Sequence, residues 1–275
     1  MRTSVIVATY EWPAALDVVL RALSEQSTKD FEVVVADDGS GEETARVVER
    51  WRGAFDLEHV WQPNEGFLKA RLLNRAVLAA GGDYLLFLDG DCVPRRGFVS
   101  AVQKGALPGW FVASKRLHLG ESATRRVLSE AWPVWRWSAV HWALRAPGEL
   151  MRKHGGQRNR PGALVAVRDR GRPWQPAAGD YRPPYNGYGY AFGVSRDDFD
   201  RVNGFDMRFN GWDGEDVDIA DRLRVSGLRC GWPGPSATVL HLWHEYRKRP
   251  ASPPERAAGA EAPLGLRQLR EELAA

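Results

Sequence analysis

The stretch GWDGEDVDIADRL, residues 211–223, sets five carboxylates, Asp213, Glu215, Asp216, Asp218 and Asp221, directly behind a tryptophan. Acids are favoured in a first helical turn, where the helix dipole is positive. That accounts for some of them. For a helix beginning near Gly214, Asp216, Ile219, Ala220 and Leu223 recur at the i, i+3, i+4, i+7 spacing of one face. Gly227 falls where a C-terminal cap belongs. The face is otherwise apolar, so Asp216 is expected to point inward, while Asp218 and Arg222 form an i, i+4 pair facing water. An inward carboxylate costs stability unless something uses it. Taking the proton from a hydroxyl that is becoming a nucleophile is one such use.

Carboxylates also gather in DDGS, Asp37 to Ser40, and DGD, Asp89 to Asp91. Side chains alternate along an extended chain, so Asp89 and Asp91 project the same way. Two adjacent carboxylates repel, and a hard divalent cation relieves that; magnesium and manganese take oxygen ligands and often bridge to phosphates. Alone, each motif is common turn chemistry. Their order along the chain, after Thr9-Tyr10-Glu11, is the stronger signal.

The elements that must hold these residues are short apolar strands. TSVIVA (3–8), FEVVVA (31–36) and YLLFL (84–88) are continuously apolar, as in strands buried on both faces of a parallel sheet. From Pro13, Leu16, Val19, Leu20 and Leu23 recur at helical spacing; from Phe67, Leu68, Leu72, Ala76 and Val77 do so until Gly81-Gly82. Residues 41–51 read as a more polar helix. Alternating strands and helices imply an α/β layered domain, with ligands at the carboxyl ends of the strands. The three polar segments follow those ends.

The chain has 275 residues, 44% hydrophobic and 27% charged, enough for a full core. Two distant cysteines, Cys92 and Cys230, give no disulfide framework, and a reducing compartment is expected. The opening MRTSVIVATY enters a strand pattern directly, and no apolar run reaches the roughly 20 residues of a membrane span. A cytoplasmic protein, peripheral at most to the inner membrane, is expected. Net charge is +3, yet residues 115–172 carry 13 Lys or Arg against 4 Asp or Glu, while the remainder carries 25 against 31. A basic middle in an acidic frame points to an anionic partner.

Motif order and spacing over about residues 3–245 resemble family 2 glycosyltransferases of the GT-A fold. The segments are VIVATY, VVVADDGS, NEGFLKARLLNRA, YLLFLDGDCVP, YGYAFGVSRDDFDRVNGFDMRF, GWDGEDVDIADRL and HLWH. The last two also resemble the acceptor-side region of β-1,4-galactosyltransferases and chondroitin polymerases. The resemblance implies a Rossmann-like, mostly parallel central sheet with flanking helices and a smaller acceptor-binding lobe. Residues 1–110 would be the nucleotide-sugar half, 111–246 the acceptor-binding and catalytic half, and 247–275 a Pro/Ala-rich linker with a short helix bearing Leu266, Leu269 and Leu273 on one side.

Residue by residue, it implies that Thr9, Tyr10 and Glu11, with Asp37 or Asp38, hold the base and ribose. Gly66 and Arg71 would serve the diphosphate, and Asp89 the ribose. Asp91 would ligate manganese or magnesium, completed by His244 and His241. Asp216 would be the base and Glu215 would hold a sugar through its hydroxyls. Trp212 and Gly214 would face the acceptor. The activity implied is inverting transfer of a hexose from UDP-Gal, UDP-GalNAc or UDP-GlcNAc to a sugar hydroxyl in bacterial surface glycan synthesis, such as lipopolysaccharide or capsule. A dTDP-rhamnose enzyme and a non-catalytic nucleotide-sugar-binding scaffold are the alternatives. A sugar nucleotidyltransferase would open with a glycine- and arginine-rich phosphate loop, whereas this chain reads ATYEWPAAL. In residues 125–153, Trp132, Trp135, Trp137 and Trp142 interleave with arginines. Three readings stand there: a lid or acceptor wall, a contact with membrane or a lipid-linked acceptor, and plain core. No nucleic-acid module is present, so no nucleic-acid partner is expected. Oligomeric state is open.

Overall fold

A computed structural model describes residues 1–150, 153–154, 157–158, 190–209, 214–245 and 262–274. In chain order the first half runs β1 (Thr3–Thr9), α1 (Pro13–Ser24), β2 (Phe31–Asp37), α2 (Glu42–Trp51), β3 (Leu57–Trp61), α3 (Lys69–Ala79), β4 (Tyr84–Asp89), β5 (Cys92–Pro94) and α4 (Phe98–Gly105). Then follow β6 (Trp110–Ala113), β7 (Lys115–His118), α5 (Glu121–Leu128), α6 (Ala139–Arg145), α7 (Pro147–Leu150) and the two-residue strands β8 (Lys153–His154) and β9 (Gln157–Arg158). The remainder is β10 (Ala191–Ser195), α8 (Arg196–Arg201), α9 (Glu215–Val225), β11 (Arg229–Gly231), β12 (Thr238–His241) and α10 (Leu266–Ala274).

The three apolar runs become β1, β2 and β4, which lie side by side and parallel in a seven-stranded sheet of order β11-β6-β10-β4-β1-β2-β3. Successive residues on these strands feed opposite cores. Val5, Val7, Val33, Val35, Leu86 and Leu88 face α1, α2 and α4, whereas Ile6, Val34, Leu85 and Phe87 face α3 and α8 to α10. That two-sided burial is why these strands read as unbroken apolar runs. β10 enters antiparallel between β4 and β6. The sheet is thus mostly parallel with helices on both faces, as expected.

A second sheet, β5-β12-β7, matters for the site. It pairs His241 with both Cys92 and His118, and the Leu242 N–H donates to the Asp91 carbonyl at 2.9 Å. Residues about 150 positions apart are so held in register.

The tryptophan-rich segment corrects one reading. Trp135, Trp137 and Trp142 are buried and Trp132 packs against the same core, so these rings are not available to a membrane interface. The Trp135 Nε1–H donates to Glu25, which also pairs with Arg136, tying the segment to the end of α1. The outer side of α6 instead exposes Val140 and Leu144. Helix α10 docks against α3 and residues 203–207 through Leu266 and Leu269, while Leu273 stays exposed. Its predicted apolar side is therefore one turn shorter than the leucine spacing implied.

Candidate active site

The parallel register fixes what meets at the carboxyl ends. Thr9 lies opposite Asp37, and Ala8 opposite Asp89. Beyond them opens a cleft of about 460 Å³, bordered by Thr9, Tyr10, Glu11, Trp12, Asp38, Lys69, Asp89, Asp91 and His244.

Asp37 and Asp38 were equivalent in sequence, and the structure separates them. Asp37 is buried and accepts from the Ser40 N–H at 2.8 Å and faces His59 Nε2 at 3.1 Å. It holds the turn. Asp38 borders the cleft, accepts from Gln62 Nε2 at 2.6 Å, and is pushed above the ordinary aspartate range by burial. Gly39 between this pair and Ser40 has φ +92°, and a Cβ there would lie 2.5 Å from the Asn64 nitrogen, so only glycine fits.

Glu11 adopts φ 46°, unusual for a residue with a side chain. Its N–H donates to Ser40 Oγ, and its carboxylate accepts from the Gly41 N–H at the start of α2. Those bonds fold the Tyr10–Trp12 turn onto the DDGS loop. Tyr10 is fixed from the other side by Asn64, whose Nδ2 donates to the hydroxyl at 2.8 Å. Gly66, at φ +103°, sits in the exposed loop before α3.

Asp89 and Asp91 both reach the cleft but have different partners. Asp89 pairs with Lys69 Nζ at 2.8 Å. Asp91 Oδ2 lies 3.4 Å from His244 Nε2 and 3.6 Å from His241 Nε2. Both separations exceed a good hydrogen bond. Two donors sharing one cation with bonds of about 2.1 Å stand roughly 3.0–3.5 Å apart, so the His244 pair falls in that range and the His241 pair just beyond it. His244 Nδ1 donates to the Glu245 carbonyl at 3.0 Å, since a carbonyl can only accept, which turns Nε2 toward Asp91. One carboxylate with two imidazoles suits manganese better than calcium. The residues present therefore fit a first-row divalent cation. The Asp91 carboxyl is raised by burial, with His244 pulling it back, and Cys92 Sγ contacts its other oxygen at 3.4 Å.

Helix α9 begins, as expected, at Gly214, whose φ of +119° makes the turn. It ends with the Leu228 N–H bonded to the Leu223 carbonyl and Gly227 to Arg224, satisfying the last carbonyls. Its acids are arranged differently from the helical-wheel reading. Glu215 is the buried one, and Asp216 is half-buried. Asp216 Oδ1 accepts from the Val217 N–H at 2.9 Å. Glu215 is four residues before Ile219, so it too leads the apolar stripe. Asp218 and Arg222 do pair, at 2.6 Å, but are only about one-fifth exposed. Arg222 also donates to the carbonyls of Val202 and Gly204, clamping α9 onto that loop rather than facing water.

Lys69 is the residue sequence reasoning missed. It opens α3, and its Nζ lies 3.5 Å from Glu215 Oε1 as well as beside Asp89. Burial alone would lower its pKa, but Asp89 and Glu215 hold it above the usual lysine range. Burial raises Glu215, against the pull of Lys69. Among the described residues Glu215 Oε2 has no hydrogen-bond partner, and Glu215 borders a cavity of about 10 Å³ shared with Lys69, Asp89 and Asp216. Arg71, expected at the diphosphate, instead pairs with Glu272 of α10 at 2.8 Å and does not border the cleft. Trp12 was also unforeseen; it lines the cleft and meets His244 edge-on, centroids 6.1 Å apart. Trp212, expected to face the acceptor, lies outside the described residues.

The family profile of glycosyl transferase family 2 matches residues 4–146, over half of the chain. The chain belongs to that family. The profile described as the N-terminal domain of galactosyltransferase matches residues 176–245, the acceptor-side region with α9 and β12. Validoxylamine A glucosyltransferase of Streptomyces hygroscopicus subsp. jinggangensis is 30% identical over 82% of this chain, which spans 52% of that relative. Human beta-1,4-galactosyltransferase 2 is 43% identical over 54 residues, 19% of this chain and 14% of that protein. The mannosyltransferase PcManGT of Pyrobaculum calidifontis, solved with GDP-Man and Mn²⁺, superposes with a TM-score of 0.56 at 21% identity, over 93% of this chain and 58% of that one. The fold is thus the GT-A arrangement.

Proposed function

We propose that this chain is a divalent-cation-dependent, inverting hexosyltransferase. It would take the sugar from a nucleotide diphosphate donor, UDP-Gal, UDP-GalNAc or UDP-GlcNAc before dTDP-rhamnose, and pass it to a sugar hydroxyl of a surface glycan. The observation that carries this reading is that Asp89 and Asp91 on one side and Glu215-Asp216 at the start of α9 on the other converge from segments about 125 residues apart. The galactose-type donor is favoured by the galactosyltransferase profile over 176–245.

The chemistry follows from the placement. Tyr10, Glu11 and Asp38 form the wall for base and ribose, with Asp89 on the ribose. The acceptor hydroxyl gives its proton to Asp216 as its oxygen bonds to the anomeric carbon. The bond to the nucleotide's diphosphate breaks on the opposite side, so the anomeric centre inverts and no sugar–enzyme bond forms. A cation held by Asp91, His241 and His244 would neutralise the charge left on the diphosphate. Glu215 Oε2, buried and unsatisfied, is suited to accept from a sugar hydroxyl. Trp12 offers an apolar wall beside His244.

No helix among the described residues is long and apolar enough to cross a membrane. A cytoplasmic site of action fits nucleotide-sugar supply, and any inner-membrane contact would fall to Val140 and Leu144 of α6, 65% and 78% exposed.

Hydrolysis of a panel of nucleotide sugars, with manganese and with chelator, tests the reading without needing the acceptor. One donor should bind and turn over with manganese and lose both with chelator. Asp216→Asn should keep donor binding and lose turnover by about 10²–10⁴-fold. Surviving turnover removes Asp216 as the base; absence of binding by every nucleotide sugar removes the enzyme reading and favours the scaffold.

A further inference from the structure

The acids at the start of α9 and the acid at the end of β4 belong to elements about 125 residues apart, yet one ammonium lies between them. Lys69 Nζ is 2.8 Å from Asp89 Oδ1 and 3.5 Å from Glu215 Oε1. Its side chain is 18% exposed and that of Glu215 8%. The small cavity beside them is closed by Ala8, Leu73, Phe87, Phe192 and Phe205. Asp89, Glu215 and Asp216 all border this cavity, and carboxylates gathered this way repel unless a cation lies among them. Gly214 gives α9 no side-chain cap; its carbonyl accepts from the Asp218 N–H at 2.8 Å, and Glu215 is the side chain that ties the first turn to Lys69 of α3.

We propose that Lys69 is a positioning residue that holds the first turn of α9, and with it Asp216, in register with the donor strand through Asp89 and Glu215. This rests on the reading of Asp216 as the base. Lys69 touches no reacting atom in this account. It acts on turnover by fixing where the Asp216 carboxylate stands relative to a donor seated on Asp89. The groups facing Glu215 are Lys69 from α3, Asp89 from β4 and its own neighbour Asp216.

The test compares Lys69→Met, Lys69→Arg, Glu215→Gln and the double variant Lys69→Met/Glu215→Gln with wild type. Donor binding and manganese-dependent donor hydrolysis are followed from pH 5 to 9. Lys69→Met should lower kcat by about 100-fold while donor KM changes less than about fivefold. Lys69→Arg should recover most of kcat. The double variant should lose less than the product of the two single losses. A raised KM with unchanged kcat would make Lys69 an ordinary phosphate contact and overturn the proposal, as would multiplicative losses in the double variant. Thermal unfolding of the same four variants reads the Lys69–Glu215 coupling without any turnover. Additive shifts there overturn the linkage even if wild type hydrolyses no donor, an outcome that would separately remove the enzyme reading.

Discussion

Asp89 and Asp91 stand two residues apart at one strand end, yet they meet opposite chemistry. Asp89 is answered from within, by the Lys69 ammonium 2.8 Å away. Asp91 faces two imidazoles at 3.4 and 3.6 Å, which answer it fully only through a shared cation or by taking protons. The turn Gly90 sends the two carboxylates to different elements, α3 and β12. A DGD motif here is therefore not a pair of equivalent ligands. One acid is held by an ammonium of the fold, and the other is the one we propose to hold the cation.

The largest effect should come from breaking the Asp91 side. Asp91→Asn should lower manganese-dependent donor hydrolysis by roughly 10²–10³-fold, with a manganese requirement raised in titrations. Residual hydrolysis equal to wild type with manganese would erase the contrast, placing both acids in the framework. Next come the histidines. His244→Ala and His241→Ala should each weaken manganese affinity by about 10–100-fold, measured by calorimetry or by manganese dependence of the rate. A larger loss at His244, which borders the cleft, than at His241 would show which imidazole the cation uses more.

The smallest effect sharpens the Asp89 side. Burial holds the Glu215 carboxyl above its ordinary value, so its ionised form is disfavoured in the folded protein. The stability associated with its neutral form is present below the unfolded value near 4.5 and is lost as pH rises through the folded value. Glu215→Gln should therefore melt about 2–4 °C higher than wild type at pH 7, with the advantage fading as pH falls below about 4. Equal melting temperatures across that range would mean Lys69 already offsets the burial in full.

Much of this was legible in the chain. The runs at 3–8, 31–36 and 84–88 gave three central strands, because strands buried on both faces carry their environment in their own composition. Gly214 and Gly227 bounded α9 correctly, since both sit at positive φ. The insertion of β10 between β4 and β6 was not legible, because antiparallel pairing with non-neighbouring strands leaves no trace in local periodicity. Lys69 was overshadowed by Arg71 in FLKARLLN. Two cations two residues apart point to different sides of a helix, and only the packing of α10, which supplies Glu272, shows which side faces away. The order of burial at Glu215 and Asp216 escaped for a related reason: the first turn has backbone freedom that a helical wheel does not represent.

The second sheet has a consequence for how the protein comes into being. His241 reaches Asp91 only because β12 pairs with β5 and β7, closing a loop of about 150 residues. Contacts this distant in sequence form late, after the nearer pairings of β1, β2 and β4 have reduced the entropy of closure. During synthesis the nucleotide wall can fold while the ribosome is still adding α9. The imidazoles of the proposed cation site arrive only when β12 has emerged and paired with β5 and β7. A partly made chain could thus engage a nucleotide without being able to use it.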